Sequence, residues 1–212
     1  MRIVAVMIFL VWGLQASEFD DAVASYEKGG YISALNTFYV LAKKGDPKAQ
    51  YNVALIYEQG KGVKPDIAEA MRWYEKAAKQ GNAKAQYNLA RIYHRKGDKG
   101  EPHAYEKAKY WYEKAVENHL KEAYNNLASL YMEGKGVKVD KQKAFSLFRQ
   151  GAQAGDSAAQ VNVALMYAWD PEITNDKMKA YENLKAALKK GRSEASSYLD
   201  KLCQESKWVC ED

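Results

Sequence analysis

Cysteine and histidine are scarce in this chain, and their scarcity excludes the common kinds of metal site. The 212 residues include two cysteines, Cys203 and Cys210, and three histidines. Two thiolates alone cannot fill a four-ligand zinc site, and no Cys-x-x-Cys motif is present. His94, His103 and His119 lack the i, i+4 spacing by which one helix presents two metal ligands. The sequence therefore predicts neither a metal nor a cofactor.

Long apolar runs are also missing, apart from a short one at the N-terminus. Residues 1–16 carry one basic residue, Arg2, followed by an apolar run and then Gln15-Ala16. The run has about twelve residues, whereas a helix that spans a bilayer needs roughly twenty. The pattern is typical of a secretory signal peptide cleaved after Ala16 and predicts a periplasmic or secreted protein. A permanent membrane anchor is the alternative.

Blocks of like charge are absent as well. The formal net charge is +5 at pH 7, but lysines and arginines alternate with glutamates, as around Glu69, Arg72 and Glu75. Such mixing indicates a solvated helix face. A nucleic-acid groove needs clustered Lys and Arg with stacking aromatic side chains, so nucleic acid is not the expected partner.

What the chain does contain is an internal repeat. Gly45, Gly81, Gly155 and Gly191 are separated by 36, 74 and 36 residues, and His119 occupies the position missing from this series. A period of this length is typical of stacked helical repeats. The predicted units are 45–80, 81–118, 119–154 and 155–190.

Each unit begins with a helix whose apolar positions recur at intervals of three and four residues. Two columns of alanine predict close helix approach, and a column of tyrosine adds bulk with a hydroxyl that needs a partner. These columns are Ala49, Ala85, Ala123 and Ala159; Ala54, Ala90, Ala128 and Ala164; and Tyr57, Tyr93, Tyr131 and Tyr167.

A second helix follows in each unit. Its alanine column is Ala70, Ala108, Ala144 and Ala180, and the predicted core residues Tyr74, Tyr112, Phe148 and Leu184 stand four positions further on. In the first and third units two glycines permit a tight turn between the helices, and Asp66 or Asp140 can cap the second one. A phosphate-binding interpretation of Gly-Lys-Gly requires a preceding strand, which the pattern does not predict.

The turns of the other two units depart from this pattern. The second turn is predicted over 95–103 and is two residues longer, and the fourth, over 169–176, has no glycine. Contacts specific to one unit are most expected at such departures.

Together these columns, the Gly-x-Gly-Val turn with its following Asp and the closing segment Glu75–Gly81 resemble Sel1-like repeats. The resemblance covers 45–190, and residues 17–44 are similar to the shorter tetratricopeptide unit. It implies an all-α, right-handed solenoid of antiparallel helix pairs, with about 11 helices, used mostly for protein–protein contact.

The C-terminal segment 191–212 is predicted to cap the repeats with a last helix over 193–202. Export would place Cys203 and Cys210 where disulfides persist, so we expect the two to pair and fasten this helix. A cysteine-rich secreted branch of the Sel1-like family cross-links every helical pair. This chain keeps one such pair.

In repeats of this kind the first helix of each pair lines the concave face, where a protein or peptide partner would bind. The candidate residues are Tyr51, Asn52, Leu55, Tyr87, Asn88, Arg91, His94, Asn125, Asn126, Asn162, Leu165 and Trp169. The column Asn52, Asn88, Asn126 and Asn162 is invariant among the units. These amides either bind the backbone of an extended peptide or satisfy polar groups between helices.

Tryptophans raise a similar question. Trp73 and Trp111 precede core tyrosines and are predicted to pack between units rather than to cover the outer side. Trp169 interrupts the turn of the fourth unit, and an exposed tryptophan there would be a candidate anchor for a partner.

One enzymatic alternative rests on Ser25-Tyr26-Glu27-Lys28, which matches the Ser-x-x-Lys motif of penicillin-recognising enzymes without the companion motifs. Some cysteine-rich Sel1-like proteins are described as penicillin-binding proteins or weak β-lactamases. The sequence favours a non-enzymatic exported scaffold that assists or regulates an envelope complex. The alternatives are a cell-wall or β-lactam enzyme and a secreted factor that contacts another cell.

Overall fold

The computed structural model describes residues 18–173 and 175–210, and within them every regular element is a helix. In these described ranges eleven α-helices are followed by a short 3₁₀ turn, Lys207–Val209. The α-helices are α1 over 18–27, α2 Tyr31–Lys43, α3 Pro47–Gln59, α4 Ile67–Lys79, α5 Ala83–Asp98, α6 Ala104–Glu117, α7 Lys121–Glu133, α8 Lys141–Gln153, α9 Ser157–Trp169, α10 Lys177–Lys189 and α11 Glu194–Glu205.

These helices form two compact units, of which the first ends at Ile92 and the second begins at Tyr93. In the first unit α3 packs against both α2 and α4. In the second unit each helix from α6 to α11 packs against the next one in the chain. The all-helical class and the number of helices agree with the prediction.

Small residues bring the helices together. The alanine columns predicted from the repeat are fully buried, from Ala49 and Ala54 in α3 to Ala180 in α10. The predicted core residues Tyr74, Tyr112, Phe148 and Leu184 are at most 3% exposed. A methyl group in these columns lets two helix backbones approach closely, and the larger side chains fill the remaining space. The predicted alanine columns and these four core residues are confirmed as buried, whereas in the tyrosine column Tyr57, Tyr93 and Tyr131 are half-buried.

Aspartates fix where the helices begin. Asp66 accepts a hydrogen bond from the backbone N–H of Glu69 at 2.9 Å, and Asp140 accepts one from Lys143 at 2.8 Å. Each carboxylate satisfies a backbone donor that has no partner within its own helix and lies at the positive end of the helix dipole. The caps predicted at these two residues are confirmed.

The periodic glycine position marks the end of each second helix. Gly45 has φ of 100° and His119 has φ of 58°, both in the left-handed region. Glycine enters this region without steric cost and reverses the chain just after a helix. His119 follows Asn118, the C-terminal cap of α6, and its backbone N–H bonds the Val116 carbonyl at 2.9 Å. It therefore lies at the junction between α6 and α7.

The turn predicted over 95–103 begins too early. Helix α5 continues to Asp98, because its last turn is held by a side chain from α6. The Tyr105 hydroxyl donates to Asp98 Oδ1 at 2.7 Å. A Cβ atom at Gly97 would lie 2.6 Å from the Tyr105 ring. Gly97 thus leaves room for the ring that extends the helix.

The C-terminal segment closes with a disulfide. Cys203 and Cys210 are bonded, with their Cα atoms 5.7 Å apart. The last helix, α11, is three residues longer at its end than predicted, since it reaches Glu205. The bond joins α11 to the short turn beyond it, in which Val209 is buried.

The predicted signal peptide, 1–16, lies outside the described residues. None of the described helices is long and apolar enough to cross a membrane.

Gly151 in α8 replaces the alanine found at Ala77, Ala115 and Ala187. A Cβ atom there would lie 2.9 Å from Ala159 Cβ and 3.0 Å from Tyr124 Cβ. Tyr124 is buried at the position that Gln50, Gln86 and Gln160 hold in the other units. The glycine therefore makes room for the larger Tyr124 side chain in the third repeat, 119–154.

We predict that Gly151→Ala lowers the free energy of unfolding by about 1 kcal/mol. Overpacking costs about 1–3 kcal/mol, which exceeds the gain in helix propensity of about 1 kcal/mol. Urea denaturation measures the change, and Gln153→Ala at an exposed position of the same helix is the control. A more stable Gly151→Ala protein would contradict this account of the glycine.

Candidate partner-binding faces

Apart from His94, the candidate residues lie on one face of the first helix of each repeat. The α3–α5 face of the first unit comprises Lys48, Tyr51, Asn52 and Leu55 on α3 with Lys84, Tyr87, Asn88 and Arg91 on α5. The α7–α9 face of the second unit comprises Asn125, Asn126, Ser129 and Met132 on α7 with Val161, Asn162, Leu165 and Trp169 on α9. Spacings of three and four residues place each set on one side of its helix.

A polar network underlies the α3–α5 face. The buried Tyr74 hydroxyl donates to Glu58 Oε2 at 2.7 Å and accepts from Asn88 Nδ2 at 3.1 Å, so it joins α3, α4 and α5. Arg91 Nη1 lies 3.4 Å from Asn88 Oδ1. Asn88 is only 8% exposed. Its amide is therefore committed to the network and presents little surface to a partner.

Tyr51 rests on this network. Its ring centroid lies 5.9 Å from that of Tyr74. Burial raises the pKa of Tyr51 above its ordinary value, and the negative charge of Glu58 acts in the same direction. The side chain is therefore a neutral, half-buried platform.

The hydrogen bond that each asparagine of the column forms depends on whether the core residue fourteen positions earlier has a hydroxyl group. Asn88 pairs with Tyr74, and Asn126 Nδ2 lies 3.4 Å from the Tyr112 hydroxyl. The corresponding residue for Asn162 is Phe148, which has no hydroxyl. Asn162 Nδ2 instead donates to Asn125 Oδ1 at 2.8 Å.

The same rule explains Asn52, whose counterpart is the buried Phe38. Asn52 Nδ2 donates to the Lys48 carbonyl in its own helix at 3.0 Å, and its side-chain oxygen accepts no hydrogen bond from the described residues. The four asparagines, identical in sequence, therefore have different surroundings. The side-chain oxygen of Asn52 is therefore available to a partner, whereas the amide of Asn88 is buried and hydrogen-bonded within the protein.

The α7–α9 face contains two neighbouring surface depressions, of about 220 and 330 Å³. Both are lined by Leu165 and Met166 from α9. The first adds Ser129, Met132, Glu133, Phe148 and Asn162, and the second adds Lys141, Trp169, Asp170 and Pro171. We call these depressions the α7–α9 groove. Its lining is mainly apolar, with polar groups at the edge.

Trp169 forms one end of this groove and is half-buried rather than exposed. Its indole N–H donates to Glu205 Oε2 at 2.7 Å, and Lys201 Nζ lies 4.7 Å from its ring centroid. Both partners come from α11. The C-terminal helix therefore fixes the orientation of this tryptophan.

The other two tryptophans lie on second helices. Trp73 is 2% exposed, packs against Tyr39 of α2 at 5.5 Å between ring centroids, and donates to Glu69 at 2.8 Å. It thus packs between helices of different repeats, as predicted. Trp111 is half-buried beside Tyr110 of its own helix, at 4.9 Å.

His94 lies near the end of α5, between the rings of Tyr105 and Tyr112 at 5.6 and 6.2 Å. Burial lowers the pKa of His94 below its ordinary value of 6.5, although the charge of Asp98 opposes this shift. The neutral form is therefore favoured in the folded protein. The arrangement resembles a packed aromatic cluster, and the described residues contain no group of His, Cys, Asp and Glu arranged to hold a metal ion.

The pattern Ala-Gln in the first helices carries a structural role that sequence reasoning missed. Gln50 Nε2 donates to the Ala42 carbonyl at 3.2 Å, and Gln86 Nε2 donates to Ala78 at 3.0 Å. Each glutamine satisfies a carbonyl near the end of the preceding second helix. The repetition of Ala-Gln at the same position of three units was the available signal.

The Ser-x-x-Lys motif has no catalytic arrangement in the described structure. Ser25 Oγ donates to the Gly30 carbonyl at 3.2 Å, which closes the turn after α1. Lys28 is exposed and forms no hydrogen bond or ion pair with Ser25. A general base within reach of the hydroxyl is what nucleophilic catalysis requires.

The Sel1 repeat profile matches residues 47–82, 83–119, 121–156 and 157–191. The chain belongs to the Sel1 repeat family. These four repeats supply most of the described helices, and the family fold is suited to a protein–protein interaction scaffold. No match was found among proteins whose functions have been curated.

Solved structures agree with the Sel1 fold. A Sel1 repeat protein from Oxalobacter formigenes is 28% identical, with a TM-score of 0.77 over 88% of this chain and 73% of that one. An immunity protein from Pseudomonas aeruginosa is 19% identical, with a TM-score of 0.53 over 82% and 68% of the two chains.

The asparagine rule predicts unequal effects of the same substitution. Asn88→Ala should lower the free energy of unfolding by about 1–3 kcal/mol, because Tyr74 loses a buried partner. Asn52→Ala should change it by less than about 0.5 kcal/mol, as expected of a half-buried side chain bonded within its own helix. Chemical denaturation compares the two, and equal losses would show that the column is uniform.

The pKa of His94 predicts a pH-dependent stability. The unfolded chain takes up a proton near pH 6.5, whereas folding lowers the pKa of the ring, so acidification below pH 6.5 favours the unfolded state. The wild-type protein should lose stability between pH 7 and 5, and His94→Gln should lose less. Melting temperatures across this range test the effect, with His119→Asn as the control. An unchanged pH dependence in His94→Gln would rule out His94 as its source.

Proposed function

We propose that this Sel1 repeat protein is exported and binds a protein or peptide partner through its first-helix faces, where it assists or regulates an envelope complex. One observation carries the proposal. The alanine columns that recur in every repeat are buried, whereas the outward positions of the same helices, apart from the asparagine column, differ from one repeat to the next. Residues that vary on a fixed scaffold are those available for specific recognition.

The two faces offer different chemistry for recognition. The α3–α5 face combines tyrosine with cationic side chains, whereas the α7–α9 groove is lined by methionine, leucine and tryptophan. Aromatic and apolar anchors in preformed depressions are typical of binding hot spots. The orientation of Trp169 by α11 supports the groove as such a site, because a held side chain loses less entropy on binding.

Export is supported by two features. Residues 1–16 have the composition of a signal peptide, and Cys203 is bonded to Cys210, which is typical of an oxidising compartment. Mass spectrometry of the protein isolated from the cell envelope would test export directly, since a processed chain begins at Ser17.

The binding role is tested by affinity capture from native envelope extract. One variant changes the first unit, Tyr87→Ala with Arg91→Ala, and a second changes the groove, Leu165→Ala with Trp169→Ala. The control changes an ion pair on the second helix α4, Glu75→Ala with Lys79→Ala. We expect the native protein and the control to retain the same partner.

At least one face variant should lose that partner while its melting temperature shows that it remains folded. Equal retention by all four proteins would remove the faces as binding sites. An absence of any specific partner would contradict the scaffold function itself.

A further inference from the structure

The α3–α5 face carries a cluster of positive charge that the sequence conceals. Lys48, Lys84 and Arg91 lie on it, and none of them forms an ion pair within the described part of the chain. In the second unit, Glu122 and Ala158 occupy the position of Lys48 and Lys84. Ser129 and Leu165 occupy the position of Arg91. These positions are therefore cationic in the first unit and uncharged or acidic in the second.

The carboxylates near this face are already engaged. Glu58 accepts a hydrogen bond from the buried Tyr74 hydroxyl at 2.7 Å. Asp46 caps α3 by accepting from the Ala49 N–H at 2.7 Å. Both acids keep their charge, but neither forms an ion pair with Lys48, Lys84 or Arg91 in the described structure, so the three cations remain available to an external anion.

The cations are arranged around a polar floor. The N-termini of α3 and α5 are adjacent, because Asn82 Nδ2 donates to the Pro47 carbonyl at 3.3 Å. Lys48 and Lys84 stand in the first turns of these helices. Arg91 lies two turns further along α5, where Asn88 Oδ1 and the Tyr87 ring orient its guanidinium group.

We propose that the α3–α5 face binds an extended acidic segment of the partner, in which Asp or Glu recurs about every third residue. The proposal rests on the proposed scaffold function and names the chemistry of its partner. One carboxylate pairs with Arg91, and others pair with Lys84 and Lys48. The unbonded side-chain oxygen of Asn52 accepts a backbone N–H of the segment.

The spacing follows from helix geometry. Lys84 and Arg91 are seven residues apart, or about 10.5 Å along the helix axis. An extended chain of the polyproline II type rises about 3.1 Å per residue with three residues per turn, so every third side chain lies on the same side at intervals of about 9 Å. Long Lys and Arg side chains accommodate the remaining difference.

An acidic peptide fits this face better than a nucleic acid does. Binding of single strands depends on open aromatic faces on which bases stack. The Tyr87 ring carries Arg91, at 5.8 Å from its centroid, and Tyr51 packs against Tyr74. The tyrosines therefore offer few open faces for bases, whereas the cations remain accessible.

The test uses the purified protein that begins at Ser17 and a fluorescein-labelled peptide with an amidated C-terminus. The peptide carries Glu at its first, fourth and seventh positions with Pro-Ser between them, and the matched peptide carries Gln instead. Amidation removes the terminal carboxylate as a competing anion. Fluorescence anisotropy measures the dissociation constants at two salt concentrations.

We expect the Glu peptide to bind at least about tenfold more tightly than the Gln peptide and more weakly at high salt. Lys84→Gln with Arg91→Gln should weaken this binding by about tenfold or more, as loss of charge-assisted hydrogen bonds requires. Lys44→Gln with Lys64→Gln removes the same net charge from exposed positions of the first unit and should leave affinity unchanged.

Three results would overturn the inference. The first is equal affinity for the Glu and Gln peptides, and the second is an equal loss of affinity in the two double variants. The third is an oligothymidylate of the same charge that binds more tightly and competes fully with the Glu peptide. Envelope capture separates this failure from that of the scaffold function. A partner that Lys84→Gln with Arg91→Gln still retains would leave the function intact and remove only the acidic segment.

Discussion

Close approach of helices through alanine is the constraint on which the rest of the structure depends. The alanines of one column, Ala49, Ala85, Ala123 and Ala159, are all completely buried. A larger residue in such a column would separate the backbones, and the third unit shows how strictly this holds. Tyr124 is tolerated there only opposite Gly151. Because the spacing of the helices is fixed in this way, the positions that face outward are fixed too.

The same constraint explains why fold was easier to predict than site. Columns such as Tyr74 and Tyr112 repeat because each unit faces the same packing problem, so periodicity alone identified the core and the caps. The extension of α5 to Asp98 was not predictable from the period, since it depends on Tyr105 packing on Gly97. The right-handed course of the repeats, the unit boundaries and the tetratricopeptide likeness of 17–44 stay predictions.

The asparagine column shows the limit of arguing from repetition. Identity in four units favoured either a shared binding role or a shared structural role, yet the structure assigns partners one by one. A hydroxyl fourteen residues earlier decides the matter, because Tyr74 and Tyr112 offer one whereas Phe38 and Phe148 do not. The sequence contains this information in the column of Phe38, Tyr74, Tyr112 and Phe148, not in the asparagine column. Pairwise contacts between repeats, rather than columns taken singly, carry the specificity.

The three cations of the α3–α5 face come from two helices that are separated in the sequence. Lys48 and Lys84 are separated in sequence by residues of both signs, and such mixing favoured the interpretation of a solvated surface. Helical periodicity brings the two members on α5 to one side, and the adjacent N-termini of α3 and α5 bring the third to the same face. Glu58 and Asp46 are held by buried or backbone donors, and within the described residues neither forms an ion pair with these three cations. A scaffold can therefore present a charged recognition surface while its overall composition remains balanced.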